Sequence, residues 1–364
     1  MKKKVSLLLA VLAITSYSYA QGEFDGTVED TDAKSAVGGF GADLSKQSSF
    51  VNFNGYITNE FKSKQENEPT FDQHYFNVFI SSQLNERIFV EGQLEYEHAG
   101  QEIQLRYGYL DYKISEAFVI RSGYFLTPAG EFNEYRYPEY LAKTIERAFI
   151  NREISPSAWA EVGVQVRGRL GDPNANAVPF YSLYVSNGLH GISGGGIRGM
   201  RGNDRDDNDN KAFGGNFGVD IGGDIRLSAN GYTGKYDDDN ELGLSIFGLS
   251  AYIDKEKYSL WAEFQAASQE AWVDPLVMAN TVTLNKSGFF VLASYNITDK
   301  LAPVIRYDQI NLDGAPTSDR SRITLGLDYY LAKTAVARVN YDITNNDGGD
   351  IDDNQFSLQL SVGF

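Results

Sequence analysis

The chain has 364 residues and no cysteine, which excludes a disulfide scaffold, Cys-ligated metal sites, a catalytic thiol and a cysteine-linked lipid anchor. Its formal charge of −17 disfavours nucleic acid as a partner, and its mean hydropathy is too low for a bundle of membrane helices. Tyr (23), Phe (22) and Gly (36) are nevertheless abundant, a composition that suits a closed sheet with one wet face.

In chain order, "MKKK" supplies a positive region, and "VSLLLAVLAI" an apolar run too short to span a membrane as a helix. Ser18, Tyr19 and Ala20 end it in small residues at the spacing of a cleavage site. Residues 1–20 are therefore expected to be a signal peptide, and losing its three lysines would take the charge to −20. Residues 21–47 are polar and Gly-rich and read as a flexible tail, or as a plug for something else.

From Ser48 the strand pattern is continuous. "RIFVEGQLEYEH" places Ile88, Val90, Leu94 and Tyr96 on one face and Glu91, Gln93, Glu95 and Glu97 on the other. "AEVGVQVRGRL", "SRITLGLDYYL" and "TAVARVNYDI" alternate in the same way, as does the final "NQFSLQLSVGF". Weaker candidates lie at 50–61, 71–84, 103–114, 117–127, 178–187, 212–221, 225–234, 241–253, 257–268, 287–298 and 301–311. Short turns such as "NER" and "TDK" alternate with long acidic, Gly-rich connections such as "KYDDDNE" and "NNDGGDIDDN".

A soluble sandwich also alternates, but its strands average about 5–6 residues. These run nearer ten, the length of a strand tilted across a bilayer. Their polar faces carry Glu, Arg and Asp, which a water-lined lumen accepts. The fold expected for residues 48–364 is thus all-β: a transmembrane antiparallel β-barrel of about 16 strands, closed because lipid tolerates no sheet edge. The location that follows is the outer membrane of a Gram-negative bacterium, amid lipid bilayer and lipopolysaccharide. The terminal strand can pair with the first to close the ring. With Leu360, Val362 and Phe364 on one face, it also resembles the assembly signal that the barrel-assembly machinery reads in bacterial outer-membrane proteins.

"FVIRSGYFLTPAGEF" followed by "TIERAFINREISPSAWAEVGVQVRG", then "YSLYVSNG" and "FFVLASYNITDKLAPVIRYDQ", resembles the phosphate-selective porin O/P family over most of residues 71–364. That resemblance implies a 16-stranded barrel, a homotrimer, and passage of small anions. The founding members line the pore with an unbalanced ladder of Arg and Lys. Here Arg106, Arg121, Arg167, Arg169, Arg226, Arg306 and Arg338 fall on polar faces together with Glu91, Glu95, Glu161, Glu263, Asp308, Asp328 and Asp342. Each Arg reads either as an ion pair bracing the wall or as a solute contact.

Residues 127–160 form a connection far longer than the usual 12–15. Leu141, Ile145, Ala148 and Phe149 recur at helical spacing, which predicts an amphipathic turn with Lys143, Glu146, Arg147 and Arg152 elsewhere. The inner wall would cover its apolar face, so this one long loop is expected to fold into the lumen as an eyelet; a structured outside cap is the other reading. In the eyelet reading Arg147 and Arg152 face a wall holding Arg121, Arg167 and Arg169, and Glu146, Glu153 and Glu161 alone leave an anion-favouring constriction beneath an acidic mouth.

"DRDDNDN" and "DGGDIDDN" offer Asp204, Asp206, Asp350 and Asp352 as calcium ligands, but without the spacing of a known calcium loop; solvated acidic loops are the plainer reading. His74 and His98 fall on apparent outward faces and His190 in a Gly-rich loop, with no G-x-S-x-G, so catalysis is unsupported and no cofactor is expected. The function expected is passive diffusion of small hydrophilic solutes or ions. The alternative is a barrel enzyme or adhesin acting through its acidic extracellular loops.

Overall fold

The computed structural model describes residues 51–65, 67–202, 205, 208–278, 280–313, 319–346 and 353–364. Sixteen strands form one closed antiparallel barrel: β1 (Val51–Lys64), β2 (Thr70–Gln83), β3 (Ile88–Glu97), β4 (Glu102–Ser115), β5 (Phe118–Leu126), β6 (Ala160–Arg169), β7 (Ala177–Ser186), β8 (Ala212–Ile221), β9 (Ile225–Lys235), β10 (Gly243–Asp254), β11 (Tyr258–Trp272), β12 (Thr281–Tyr295), β13 (Leu301–Leu312), β14 (Asp319–Ala332), β15 (Ala335–Asn346) and β16 (Gln355–Gly363). The signal peptide, the 21–47 tail and the four calcium candidates Asp204, Asp206, Asp350 and Asp352 lie outside the described residues.

Every strand pairs with its sequence neighbours, and β1 closes on β16 with Ile57 opposite Val362 and Asn59 opposite Leu360. The last residue takes part: Phe364 and Gly55 exchange both backbone hydrogen bonds, at 2.8 and 2.9 Å. A Cβ on Gly55 would lie 2.3 Å from the Asn77 carbonyl and 2.7 Å from the Phe364 ring, so this corner has room only for glycine.

Period-2 patterning sets which face is which. On β14, Ile323, Leu325, Leu327 and Tyr329 are exposed while Thr324 and Asp328 are fully buried. On β16, Ser357, Gln359 and Ser361 are buried and Leu360 exposed. The apolar rows face outward and the polar rows inward, the reverse of a soluble core. Among the described residues no helix is long and apolar enough to cross a membrane.

Two local features depart from the sequence pattern. A bulge between Thr58 and Glu60 breaks the parity of β2, and His74 turns to Glu60, 3.1 Å away, rather than outward. The inner face of β10–β13 mixes buried charged groups such as Glu263, Lys286, Arg306 and Asp308 with an apolar patch that the sequence pattern did not suggest. Leu244, Ile246, Trp261, Phe290, Leu292 and Ile310 are all buried there, in one cluster with Phe149, Ile150, Ile154 and Trp159 from the long connection.

Candidate pore constriction

The connection between β5 and β6 comprises residues 127–159. Its base is clamped by Asn133. The Asn133 amide donates to the carbonyls of Thr127 and Trp159, both at 2.9 Å, while its own oxygen accepts from the Trp159 N–H at 2.8 Å. Gly130 turns the chain with φ +83°, and a Cβ there would meet Gln265 at 2.9 Å and Glu263 at 3.1 Å.

The amphipathic turn expected at Leu141, Ile145, Ala148 and Phe149 does not take helical geometry. Helical geometry is confined to Phe132–Arg136 and Ile150–Glu153. Ile145, Ala148 and Phe149 are buried as expected, but on an irregular backbone. Such a backbone leaves its N–H and C=O groups without partners of their own, and a buried one must find them elsewhere. Here side chains of the strands supply them. Arg338 of β15 donates to the Glu139 carbonyl at 2.6 Å and to that of Ala142. Asn340 accepts from Ile145 N–H at 2.6 Å, Arg306 donates to the Glu146 carbonyl at 2.6 Å, Arg322 to that of Arg147 at 2.5 Å, and Asp308 accepts from Phe149 N–H at 3.0 Å. Glu263 of β11 accepts from Phe132 N–H at 2.9 Å and from the Asn151 amide at 3.1 Å.

Ion pairs extend the anchoring to other strands. Glu131 pairs with Arg226 of β9 at 2.7 Å, Glu134 with Arg167 of β6 at 2.7 Å, Arg136 with Asp254 of β10 at 2.8 Å, and Glu146 with Lys62 of β1 at 2.9 Å. The Tyr137 hydroxyl donates to Gln93 of β3, and Arg147 donates to the Tyr75 hydroxyl of β2 at 2.9 Å. Burial by itself would raise the Glu146 carboxyl, but Lys62, Arg152 and Arg322 outweigh it and hold the group well below its ordinary value.

The five arginines expected at one constriction do not converge. Arg121 forks onto Asp111 at 2.7 and 2.8 Å and lies over the Tyr109 ring, 3.6 Å from its centroid. Arg167 pairs with Glu134, and Arg169 with Asp220 at 2.7 Å. Arg147 and Arg152 belong to another group, with Arg152 on Glu146 at 2.8 Å. Glu161 meets no arginine: it accepts from the Trp159 indole at 2.6 Å and from Gly188 N–H at 2.8 Å. Strand parity placed Arg306, Arg338, Glu263 and Asp308 on polar faces without revealing that they hold the connection. Their partners are main-chain atoms more than 100 residues away, for which the sequence carries no local signal.

Comparison with known proteins bears on what such a barrel is. Residues 148–349, more than half of the chain, match the Gram-negative porin family. The chain belongs to the Gram-negative porin family. Solved structures share the fold. OmpT, an outer-membrane protein of Vibrio cholerae, is 14% identical with TM-score 0.62, over 89% of this chain and 100% of that one. The outer membrane channel DcaP of Acinetobacter baumannii is 13% identical with TM-score 0.62, over 88% and 99%. OmpF of Salmonella typhi, solved with daunomycin, is 15% identical with TM-score 0.59, over 86% and 97%. An uncharacterized protein of Aquifex aeolicus (strain VF5) is 28% identical over 153 residues, 40% of this porin, which spans about a third (34%) of that relative's length. Family and fold place the porin in the outer membrane.

Proposed function

We propose that this porin is a non-enzymatic channel for passive diffusion of small hydrophilic solutes, and that residues 127–159 narrow its lumen. The observation that carries this reading is the ring of contacts. The connection is hydrogen-bonded or ion-paired to β1–β3, β6, β9–β11 and β13–β16, always through inward rows. Its apolar residues pack on the apolar inner wall of β10–β13. Water and ions then pass through what the connection leaves open, and the apolar patch on β10–β13 that it covers serves as structure and not as path.

The ordered motifs shared with the phosphate-selective porin O/P family support an anion bias within this function. The distribution of carboxylates tempers it, because Arg121, Arg167 and Arg169 each have an acidic partner. A homotrimer, contacts with lipopolysaccharide, removal of residues 1–20 on export and reading of Leu360, Val362 and Phe364 by the barrel-assembly machinery belong to the same proposal. The decisive experiment is single-channel recording of the refolded protein in a salt gradient. Stepwise conductance with a reversal potential of small magnitude is expected. Bilayers that stay silent with correctly folded protein would favour the adhesin or enzyme reading.

A further inference from the structure

Two strands turn a polar side chain toward lipid in the apolar band of the wall. On β1, Thr58 and Glu60 are buried on the inward row, and Asn59, the residue pushed out by the bulge, is exposed on the outward one. Its outward neighbours are Ile57 and Phe61 on its own strand and Leu360 opposite on β16, all apolar. On β5, Ser122 is exposed beside the inward, buried Arg121, with Leu110 and Val164 opposite it on β4 and β6. Among the described residues neither the Asn59 amide nor the Ser122 hydroxyl has a hydrogen-bond partner. Outward polar groups nearer the long loops differ: Thr233 and Ser245 bond to each other at 3.1 Å, and Gln309 accepts from the Tyr307 hydroxyl at 3.2 Å.

The two groups sit at matching depth. Asn59 is the fourth residue after Gly55, whose backbone pairs with Phe364, and Ser122 is the fourth after Phe118, so each lies the same distance above an aromatic at the short-turn rim. Hydrocarbon offers an amide no acceptor and no donor, and leaving it unsatisfied there costs free energy that only a protein surface at the same depth can recover. Four strands separate β1 from β5, about 19 Å around the wall at 4.8 Å per strand, so the two side chains of one copy do not reach each other. Two different patches a quarter of the ring apart suit a small closed ring of identical copies, in which each copy offers one patch to each neighbour. Between the patches Gly92 and Gly108 stand opposite each other on the outward rows of β3 and β4, and a wall without bulky side chains lets two backbones approach closely.

We propose that the β16–β1 face of one copy packs on the β4–β5 face of the next, with the Asn59 amide donating to Ser122 of the partner subunit inside the membrane. The amide carries two N–H donors and the hydroxyl supplies an acceptor, so the contact satisfies both groups at once. The apolar side chains around it fit lipid as well as protein; the polar pair is what makes the contact specific, because any other rotation of the copies leaves both groups in hydrocarbon. This inference rests on the homotrimer already proposed and adds the face and the residues that hold it.

Because the chain has no cysteine, crosslinking gives a clean test on the full-length protein in outer membranes. Asn59→Cys combined with Ser122→Cys, oxidised with copper phenanthroline, should yield covalent dimers and trimers on a boiled, non-reducing gel. The pair Val291→Cys with Ile323→Cys, exposed on the opposite wall, should yield severalfold less. Asn59→Cys alone should crosslink poorly, since unlike patches meet. Two further variants read stability: Asn59→Leu and Ser122→Val should each lower the temperature at which the unboiled oligomer band gives way to folded monomer, and the double variant should be no worse than either. The monomer's own heat-modifiable shift should stay, which shows that the barrel has folded. An oligomer that forms without Asn59–Ser122 crosslinks above the opposite-wall pair overturns the face and leaves the homotrimer standing. Crosslinking by Asn59→Cys alone into dimers, or into a product whose mass is no multiple of this chain, overturns it in favour of a two-fold contact or a different membrane protein. A protein that is monomeric throughout overturns both.

Discussion

Asp308 concentrates the anchoring of the long connection in one fully buried carboxylate. It accepts from Arg306 Nε at 3.1 Å, from Arg322 at 3.1 and 3.0 Å, and from Phe149 N–H. Asp308→Asn would leave two buried guanidiniums facing each other, and breaking a buried pair costs about 3–5 kcal/mol. The temperature at which the folded form disappears on a detergent gel should fall; an unchanged midpoint would show that the arginines find other acceptors. Glu146 gives a pH dependence of known sign. Its folded carboxyl is held below the ordinary 4.5, so its stabilisation is full above that value and is lost as pH falls below it. Current noise from a loosened connection should therefore rise below pH 4.5, and Glu146→Gln should show the same noise at pH 7. Parity read the face of Arg167 and Arg169 from sequence, but not that Glu134 and Asp220 would meet them. A freely wet lumen would tolerate glutamate at both places. With Arg167 only 3% exposed and 2.7 Å from Glu134, Arg167→Glu sets two carboxylates together and should lower heat resistance rather than merely tilt selectivity.

The connection 127–159 was legible as an element out of place, because a regular barrel has no use for a loop of that length. Its internal structure was not. The spacing of Leu141, Ile145, Ala148 and Phe149 fits a helix, but tertiary hydrogen bonds to Arg338, Asn340 and Asp308 replace the helical ones. The strands with one clean polar face, such as β3, β14 and β16, were legible to within a residue or two. β12 was not: its observed start at Thr281 precedes the expected 287 because the apolar row of "TVTLNK" is only Val282 and Leu284 before Lys286 interrupts it, and its later apolar residues occupy both faces. Excising residues 138–149 while keeping the Asn133 clamp should widen the lumen and raise single-channel conductance severalfold, since conductance follows cross-section. Equal conductance would place the narrow section elsewhere.

For the whole molecule, closure between β1 and β16 leaves no unpaired edge, so the folded barrel should resist cold detergent. An unboiled sample should migrate faster than a boiled one, or higher as an oligomer; identical migration would contradict a closed membrane barrel. The apolar inner wall carries a further consequence for the chain in transit. Strands β10, β12 and β13 present Phe247, Leu249, Val291 and Ile305 on one face and Leu244, Ile246, Leu292 and Ile310 on the other. Before insertion these stretches present apolar residues on both sides, with only isolated polar groups such as Ser250, Lys286, Arg306 and Asp308 between them, and stretches of this kind favour aggregation. The segment that eventually covers the inner side, around Phe149 to Trp159, precedes all of them in the chain. It is available from the moment they emerge, and can shield its own later strands before any lipid reaches their other face.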